Sequence, residues 1–241
     1  MAAARPIKYT TVIQSVRELN LLGTADPAFW TAHLDGTGLV PHVVNGAAQL
    51  SLGATDLTWA GWRFNESILV LTVARAAAPE TPSGTYLVHA FNSRRALAFM
   101  ERLFFHTPYY LAAIELPEAA PNRFAVRDQA GGELRAAAAP AARPKVATDD
   151  AWEGVVHLPR RVAAPQGLGD YFYVRLAGPG EAYAFDPAAD TFSVTPSAAS
   201  PALGWLRDSG FTPRAIRPSL NLLPMRARLP CLRHVPIARR N

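Results

Sequence analysis

One glutamate stands at the head of the most apolar run in the chain, where Arg63-Phe64-Asn65-Glu66-Ser67 leads into Ile68-Leu69-Val70-Leu71-Thr72-Val73-Ala74. A carboxylate so placed has two outcomes. Left at the mouth of a strand it is solvated and ordinary. Drawn inside, it must meet an arginine or hydrogen-bond donors, or else take up a proton. Other groups able to do chemistry are sparse. The chain has two lysines, Lys8 near its start and Lys145 in an alanine-proline stretch. Its six histidines show no His-x-His or HExxH spacing, so no metal is expected. His106 borders the turn His106-Thr107-Pro108-Tyr109-Tyr110, where it either reaches a pocket or satisfies carbonyls at a helix end. The lone cysteine, Cys231, excludes an intrachain disulfide and any multi-cysteine metal site, and no base lies near it in sequence. There is no Gly-x-Ser-x-Gly elbow and no phosphate-cradling loop. Gly36 and Gly38 lack the third glycine and the preceding strand of a dinucleotide fingerprint, so no cofactor is expected either.

The elements that must position these groups are mostly strands. With 21 prolines and 16 glycines in 241 residues, short strands are favoured over long helices. Ile68, Val70 and Thr72 share a face with Glu66, while Leu69, Leu71 and Val73 occupy the other, which marks a central strand covered on both sides. Gly84 to Leu116 reads as strand, helix, turn and strand. Ser93 is the expected cap of a helix from Arg94 to about Phe105, with Leu97, Met100 and Phe104 on its buried face. Pro108 ends that helix, and Tyr109 and Tyr110 enter the strand beyond it.

Around this stretch, Tyr9 to Asn20 reads as a first strand, and Asp26-Pro27 caps a helix running to about Asp35. Val40 to Thr58 fits short strands or a compact helix, and Ala76 to Gly84 reads as a loop. A hairpin turns at Gly131-Gly132, and later strands are expected at Trp152 to Leu158, Tyr171 to Leu176, Ala182 to Phe185 and Thr191 to Thr195. Ser200-Pro201 opens a short helix closed by Gly210. The five tryptophans are most simply packing residues.

The net charge of +5 belongs to the tail, because seven arginines follow the last acidic residue, Asp208, and residues 1–208 sum to −2. Prolines at 213, 218, 224, 230 and 236 forbid helix there, and Met225, Ala227 and Leu229 alternate with Arg226 and Arg228 as on an edge strand. We read residues 211–241 as an extended basic arm lying over the body, residues 1–210, or over a second subunit. No aromatic follows Phe211, which argues against nucleic-acid binding. No secretory signal or spanning apolar stretch is visible, so a soluble cytoplasmic protein is expected, as a homo-oligomer, with no membrane partner.

The helix-ending Phe104-Phe105-His106-Thr107-Pro108-Tyr109-Tyr110 resembles the YqjF-like family of uncharacterised bacterial proteins, within the acetoacetate-decarboxylase-like superfamily. The segment AFWTAHLDGTGLVPHVVNGAAQLSLGA, the Phe64-Asn65-Glu66 strand entry and the hairpin DYFYVRLAGPGEAYAFDP support the likeness, which spans most of residues 10–200. The resemblance implies an α+β, β-rich single domain: a closed or nearly closed antiparallel barrel or sheet, flanked by short helices and holding an internal pocket. In decarboxylases of the superfamily a Gly-Phe-Pro-Lys-Lys turn supplies a Schiff-base lysine, and a glutamate at the start of a central strand lines the pocket. Matching the prolines puts Tyr109 and Tyr110 where the lysines would stand, and Glu66 matches the glutamate.

That departure removes amine chemistry, since neither Lys8 nor Lys145 is placed to serve the pocket. A phenol can still donate to a carbonyl or enolate oxygen, and a carboxylate raised by burial can be its complementary base. The resemblance therefore implies a cofactor-independent enzyme for a small oxo or enol compound, polyketide-like ones included, of lyase, dehydratase or cyclase type. Glu66 and Tyr109 would be catalytic, Arg63 or Arg75 an anion clamp, and His106 and Tyr110 further substrate contacts. The rival expectation is a ligand-binding or sensory protein that kept the pocket and lost the chemistry.

Overall fold

A computed structural model describes residues 11–104, 107–118, 122–139, 145–146, 151–159, 171–177, 181–222 and 225–228. Strand β1 (Thr11–Ala25) leads into helix α1 (Pro27–His33), where the Asp26 carboxylate accepts from the Ala28 N–H at 2.8 Å and proline takes the first helical position. Two short strands, β2 (Leu39–Pro41) and β3 (Val43–Val44), precede an antiparallel meander of β4 (Ala47–Trp59), β5 (Trp62–Arg75) and β6 (Ala78–Asn92). Helix α2 (Arg95–Phe104) then crosses to β7 (Tyr109–Glu115), which runs parallel to β6. The hairpin β8 (Arg123–Asp128) and β9 (Glu133–Ala137) follows, turning at Gly131 with φ +84°. Short β10 (Lys145–Val146), then β11 (Ala151–His157), β12 (Tyr171–Ala177), β13 (Ala182–Ala184) and β14 (Thr191–Thr195) lead to α3 (Pro201–Asp208). The last described strands are β15 (Thr212–Leu222) and β16 (Met225–Arg228).

Backbone pairing makes one mixed sheet that curls back on itself. The partners run β1, β4, β5, β6, β11, β12, β16 and return to β1. Two wings leave this circuit: β7, β8, β9 and β14 from β6, and β15, β13 and β10 from β1. Those wings end on β14 and β10, so the sheet as a whole is not closed into a barrel, which corrects the closed form of the expectation. Nor is it purely antiparallel, because β6 pairs in parallel with both β7 and β11.

The two faces of the curled sheet hold different cores. Leu19, Leu21, Leu50, Leu52, Leu69, Leu71 and Val73 pack with Trp30, Ile114, Val126, Leu134, Leu203 and Leu206, joining the β7–β9 wing, α1 and α3 to one face. Each fully buried leucine contributes on the order of 1.5–3 kcal/mol. On the opposite face lie two smaller clusters. Val16, Leu57 and Phe64 pack on Leu97 and Met100 of α2, and Leu87, Ala90, Tyr109 and Leu158 pack with Ile68, Val70, Val156 and Val174.

Of the two alternatives open for Val40 to Thr58, the structure has the strands β2, β3 and β4. Three local expectations change. Residues 78–84 join β6 instead of forming a loop, because register irregularities opposite Val73 to Arg75 absorb the prolines. Ser93 commits its Oγ to the Asn65 N–H at 2.9 Å, while Asn92 Oδ1 accepts from the Arg94 N–H at 2.8 Å in a turn just before the first helical residue, Arg95. Finally, β16 lies between β1 and β12 and is no edge. Similarly, β15 lies between β1 and β13, and β13 pairs it only at Ala215 and Ile216, between Pro213 and Pro218, which have no N–H to donate.

Candidate active site

Side-chain alternation along β5 places Glu66 on the same face as Phe64, Ile68 and Val70. Phe64 belongs to the cluster beneath α2, while Ile68 and Val70 belong to the cluster around Tyr109. The carboxyl thus sits at the seam between two apolar patches. β7 supplies its partner: Ala90 of β6 is in register with Tyr109, and Ala90 also faces Ile68 across β5. The Tyr109 side chain is buried, and its hydroxyl donates to Glu66 Oε1. Glu66 and Tyr109, 43 residues apart in sequence, therefore meet.

Loss of solvation pushes the Glu66 carboxyl up to about 8, and the negative charge of Glu101 adds to the effect. Glu101 projects from α2 and is itself pushed up to about 7 by burial, partly offset by the Thr107 hydroxyl, which donates to its Oε2 at 3.0 Å. Both carboxyls are thus raised toward neutral pH by burial, and the Glu101 charge further disfavours ionisation of Glu66.

A third polar group shares this face. Thr55 of β4 lies opposite Glu66 on one side and opposite Glu18 of β1 on the other. Asn20 lies opposite Gly53 and Arg217 of β15, which places Arg217 on the same face. Glu18 is buried and its pKa is raised by desolvation, against the opposing pull of an Asn20 hydrogen bond and the Arg217 charge. Arg217 Nε is buried without a hydrogen-bond partner. Gly53 makes room here, since a Cβ at that position would fall on Asn20 Oδ1 and lie 2.6 Å from the Leu19 carbonyl oxygen. Sequence reasoning missed Glu18, Asn20, Glu101 and Arg217. The alternation Glu18-x-Asn20 was a visible signal for the first two; Arg217 had none, because its pairing with Asn20 spans most of the chain.

The remaining expected site residues lie elsewhere. Arg63 is on the opposite face of β5, exposed, with its guanidinium on Asp56 at 2.8 and 3.0 Å and on Glu118 at 2.6 Å. Arg75 is exposed at the end of β5 and has the same parity as Arg63. Tyr110 points to the opposite side of β7 from Tyr109 and is 40% exposed. His106 falls outside the described residues. Lys145 is exposed on β10 and paired with Glu181. Two surface cavities are lined by other groups: one of about 340 Å³ by Arg95, Phe99, Arg102, Tyr110 and Asp128 among others, and one of about 440 Å³ by Trp62, Arg63 and Arg94 to Ala96. Among the described residues no cluster of histidine, cysteine and carboxylates could hold a metal, and no helix is long and apolar enough to cross a membrane.

No family model matches the chain, and no curated protein matches it. Solved structures do. An acetoacetate decarboxylase-like enzyme from Sphingomonas wittichii RW1 is 16% identical, covers 94% of each chain and superposes with a TM-score of 0.55. Acetoacetate decarboxylase from Legionella pneumophila is 14% identical over 95% of this chain and 90% of its own, with a TM-score of 0.56. The enduracididine biosynthesis enzyme MppR, solved with the condensation product of pyruvate and imidazole 4-carboxaldehyde, is 12% identical over 92% of this chain and 90% of its own, with a TM-score of 0.54. At such identities the likeness speaks for architecture: the chain has the acetoacetate-decarboxylase-like fold.

Proposed function

We propose that this protein is a cofactor-independent enzyme that moves protons on a small oxo or enol compound, with Glu66 as acid and base and Tyr109 as the donor to the substrate oxygen. The observation that carries this reading is the Tyr109–Glu66 hydrogen bond at the seam of two apolar clusters, with the carboxyl pushed up to about 8. The neighbours named as acetoacetate decarboxylases and MppR support small-molecule chemistry on this fold. We also assign it to the YqjF-like group, on a Pro108-Tyr109-Tyr110 turn whose resemblance implies tyrosines in place of the decarboxylases' lysines.

The steps follow from the two groups. A bound oxo compound takes over the phenol's hydrogen bond, and the Glu66 carboxylate removes a proton from the carbon beside the carbonyl. The C–H electron pair becomes the enolate double bond, and charge collects on the oxygen held by Tyr109. Glu66, now protonated, returns the proton to carbon, giving isomerisation, or to a departing hydroxyl, giving an alkene and water. Either lyase or cyclase outcomes start from the same enolate. Arg217, on the same face and with a free Nε, is the cation best placed to hold a substrate carboxylate, a role for which Arg63 is spoken for by Asp56 and Glu118.

The test is α-hydrogen exchange into D2O, followed by NMR across a panel of 2-oxo and 3-oxo acids beginning with pyruvate and acetoacetate. Exchange above the buffer rate is expected, falling by roughly 10²–10⁴-fold in Glu66→Gln and by about 10²-fold in Tyr109→Phe. Exchange that persists unchanged in both variants contradicts the assignment. A second reading, a small-ligand-binding or sensory protein without turnover, is favoured by one observation: neither of the two surface cavities described above is lined by Glu66 or Tyr109. It predicts retained ligand and no exchange with any member of the panel.

A further inference from the structure

The two adjacent tyrosines of β7 serve opposite faces, and the outward one builds a second site. Tyr110 stacks on the imidazole of His89, with ring centroids 4.8 Å apart and planes 11° from parallel. His89 is 4% exposed, and burial lowers its pKa to about 4, so at neutral pH it is an uncharged platform. The guanidinium carbon of Arg102 lies 5.5 Å from the centroid of the same phenol ring. Spacing along α2 brings Arg95, Phe99 and Arg102 to one face of the helix, four and three residues apart. With Tyr110 they line the cavity of about 340 Å³, a size in the range of small-molecule pockets.

The charges in this cavity are unevenly satisfied. Among the described residues neither Arg95 nor Arg102 has an ion pair, so two planar guanidinium forks face the cavity with donors unused. Phe99 is 54% exposed and Tyr110 40%, which provides two aromatic walls beside those forks. Asp128 lines the cavity as well, but its carboxylate already accepts from the Ala130 and Gly132 N–H groups, both at 2.8 Å, and from the Ser197 hydroxyl. Those donors hold its pKa below the usual carboxylate range, so it stays charged. A ligand must therefore present an anion to the arginines and a flat apolar body to the rings, without a second negative charge toward Asp128.

We propose that the Arg95–Arg102–Tyr110 cavity binds a small planar monocarboxylate, at a site separate from the Glu66–Tyr109 pair. The inference does not rest on the proposed reaction, since it uses no group of that face.

Isothermal titration and ligand-observed NMR with benzoate test it, with neutral benzamide and dianionic terephthalate as comparisons. Saturable benzoate binding is expected, with benzamide and terephthalate both at least about tenfold weaker, as loss of charge-assisted hydrogen bonds or repulsion by Asp128 requires. The Arg95→Gln/Arg102→Gln double variant should weaken benzoate by about tenfold or more, and raised salt should weaken it in the parent protein. Arg95 is exposed and Arg102 half-buried, and circular dichroism checks that the variant is folded. Glu66→Gln should leave benzoate binding unchanged. The proposal is overturned if benzoate shows no saturable binding, if benzamide binds equally well, or if the loss follows Glu66→Gln and not the arginine variant.

Discussion

Glu66 sits where a charge is costly, and that cost is a property that can be measured. Burial pushes its carboxyl up to about 8 from an ordinary value of 4.5, so the folded chain binds more protons than the unfolded chain between those limits. Stability from this group is fully present below about pH 4.5 and is lost as pH rises through about 8; Glu101, raised to about 7, acts in the same direction. Glu66→Gln keeps an acceptor for the Tyr109 hydroxyl and removes the charge. The variant is expected to melt higher than the parent at pH 8.5 and to match it near pH 5, as followed by thermal unfolding in the two buffers. Equal melting temperatures at pH 8.5 would mean that the carboxylate is well solvated. Glu101→Gln should shift the pH midpoint of α-hydrogen exchange to lower pH, because it removes the like charge that helps to raise Glu66. Burial alone should keep that midpoint above the usual carboxylate range.

At the scale of elements, the strand pattern was legible and its long-range partners were not. Alternation in Ile68 to Ala74 correctly divided β5 into two apolar faces and put Glu66 with Ile68 and Val70. The same parity already placed Arg63 and Arg75 on the far side, so nearness in sequence was the wrong criterion for an anion clamp. Likewise, successive residues of a strand diverge, so Tyr110 could not share the face on which Tyr109 meets Glu66. The turn bond of Asn92 was hidden because Asn and Ser both favour such turns and stand side by side. Asn92→Ala removes the acceptor of the Arg94 N–H and should cost about 1 kcal/mol in chemical denaturation, whereas Ser93→Ala should leave the first turn of α2 intact. On β4, Gly53→Ala drives a Cβ against Asn20 and the Leu19 carbonyl, and about 1–3 kcal/mol of lost stability is expected in the same measurement.

At the scale of the molecule, Thr212–Leu222 and Met225–Arg228 of the expected arm belong to the sheet, and residues 229–241 lie outside the described residues. Ala215 and Ile216 of β15 are buried, Arg217 joins the polar face, and β16 completes the circuit between β1 and β12. Pro213 and Pro218 lie in a strand and not a helix, as their spacing required, but proline spacing says nothing about which strands an extended segment will join. A chain ending at residue 210 is therefore expected to lose cooperative unfolding and dispersed amide signals, since β1 would expose the edge that β15 covers. A truncated chain with unchanged spectra would show that the last strands are dispensable.

The central claim is that Glu66 holds a proton near neutral pH beside the Tyr109 hydroxyl, and titration of the Glu66 carboxyl carbon by NMR tests it most directly. Assigned by its loss in Glu66→Gln, that resonance should titrate with a midpoint near 8. A midpoint in the ordinary glutamate range, near 4.5, would contradict it.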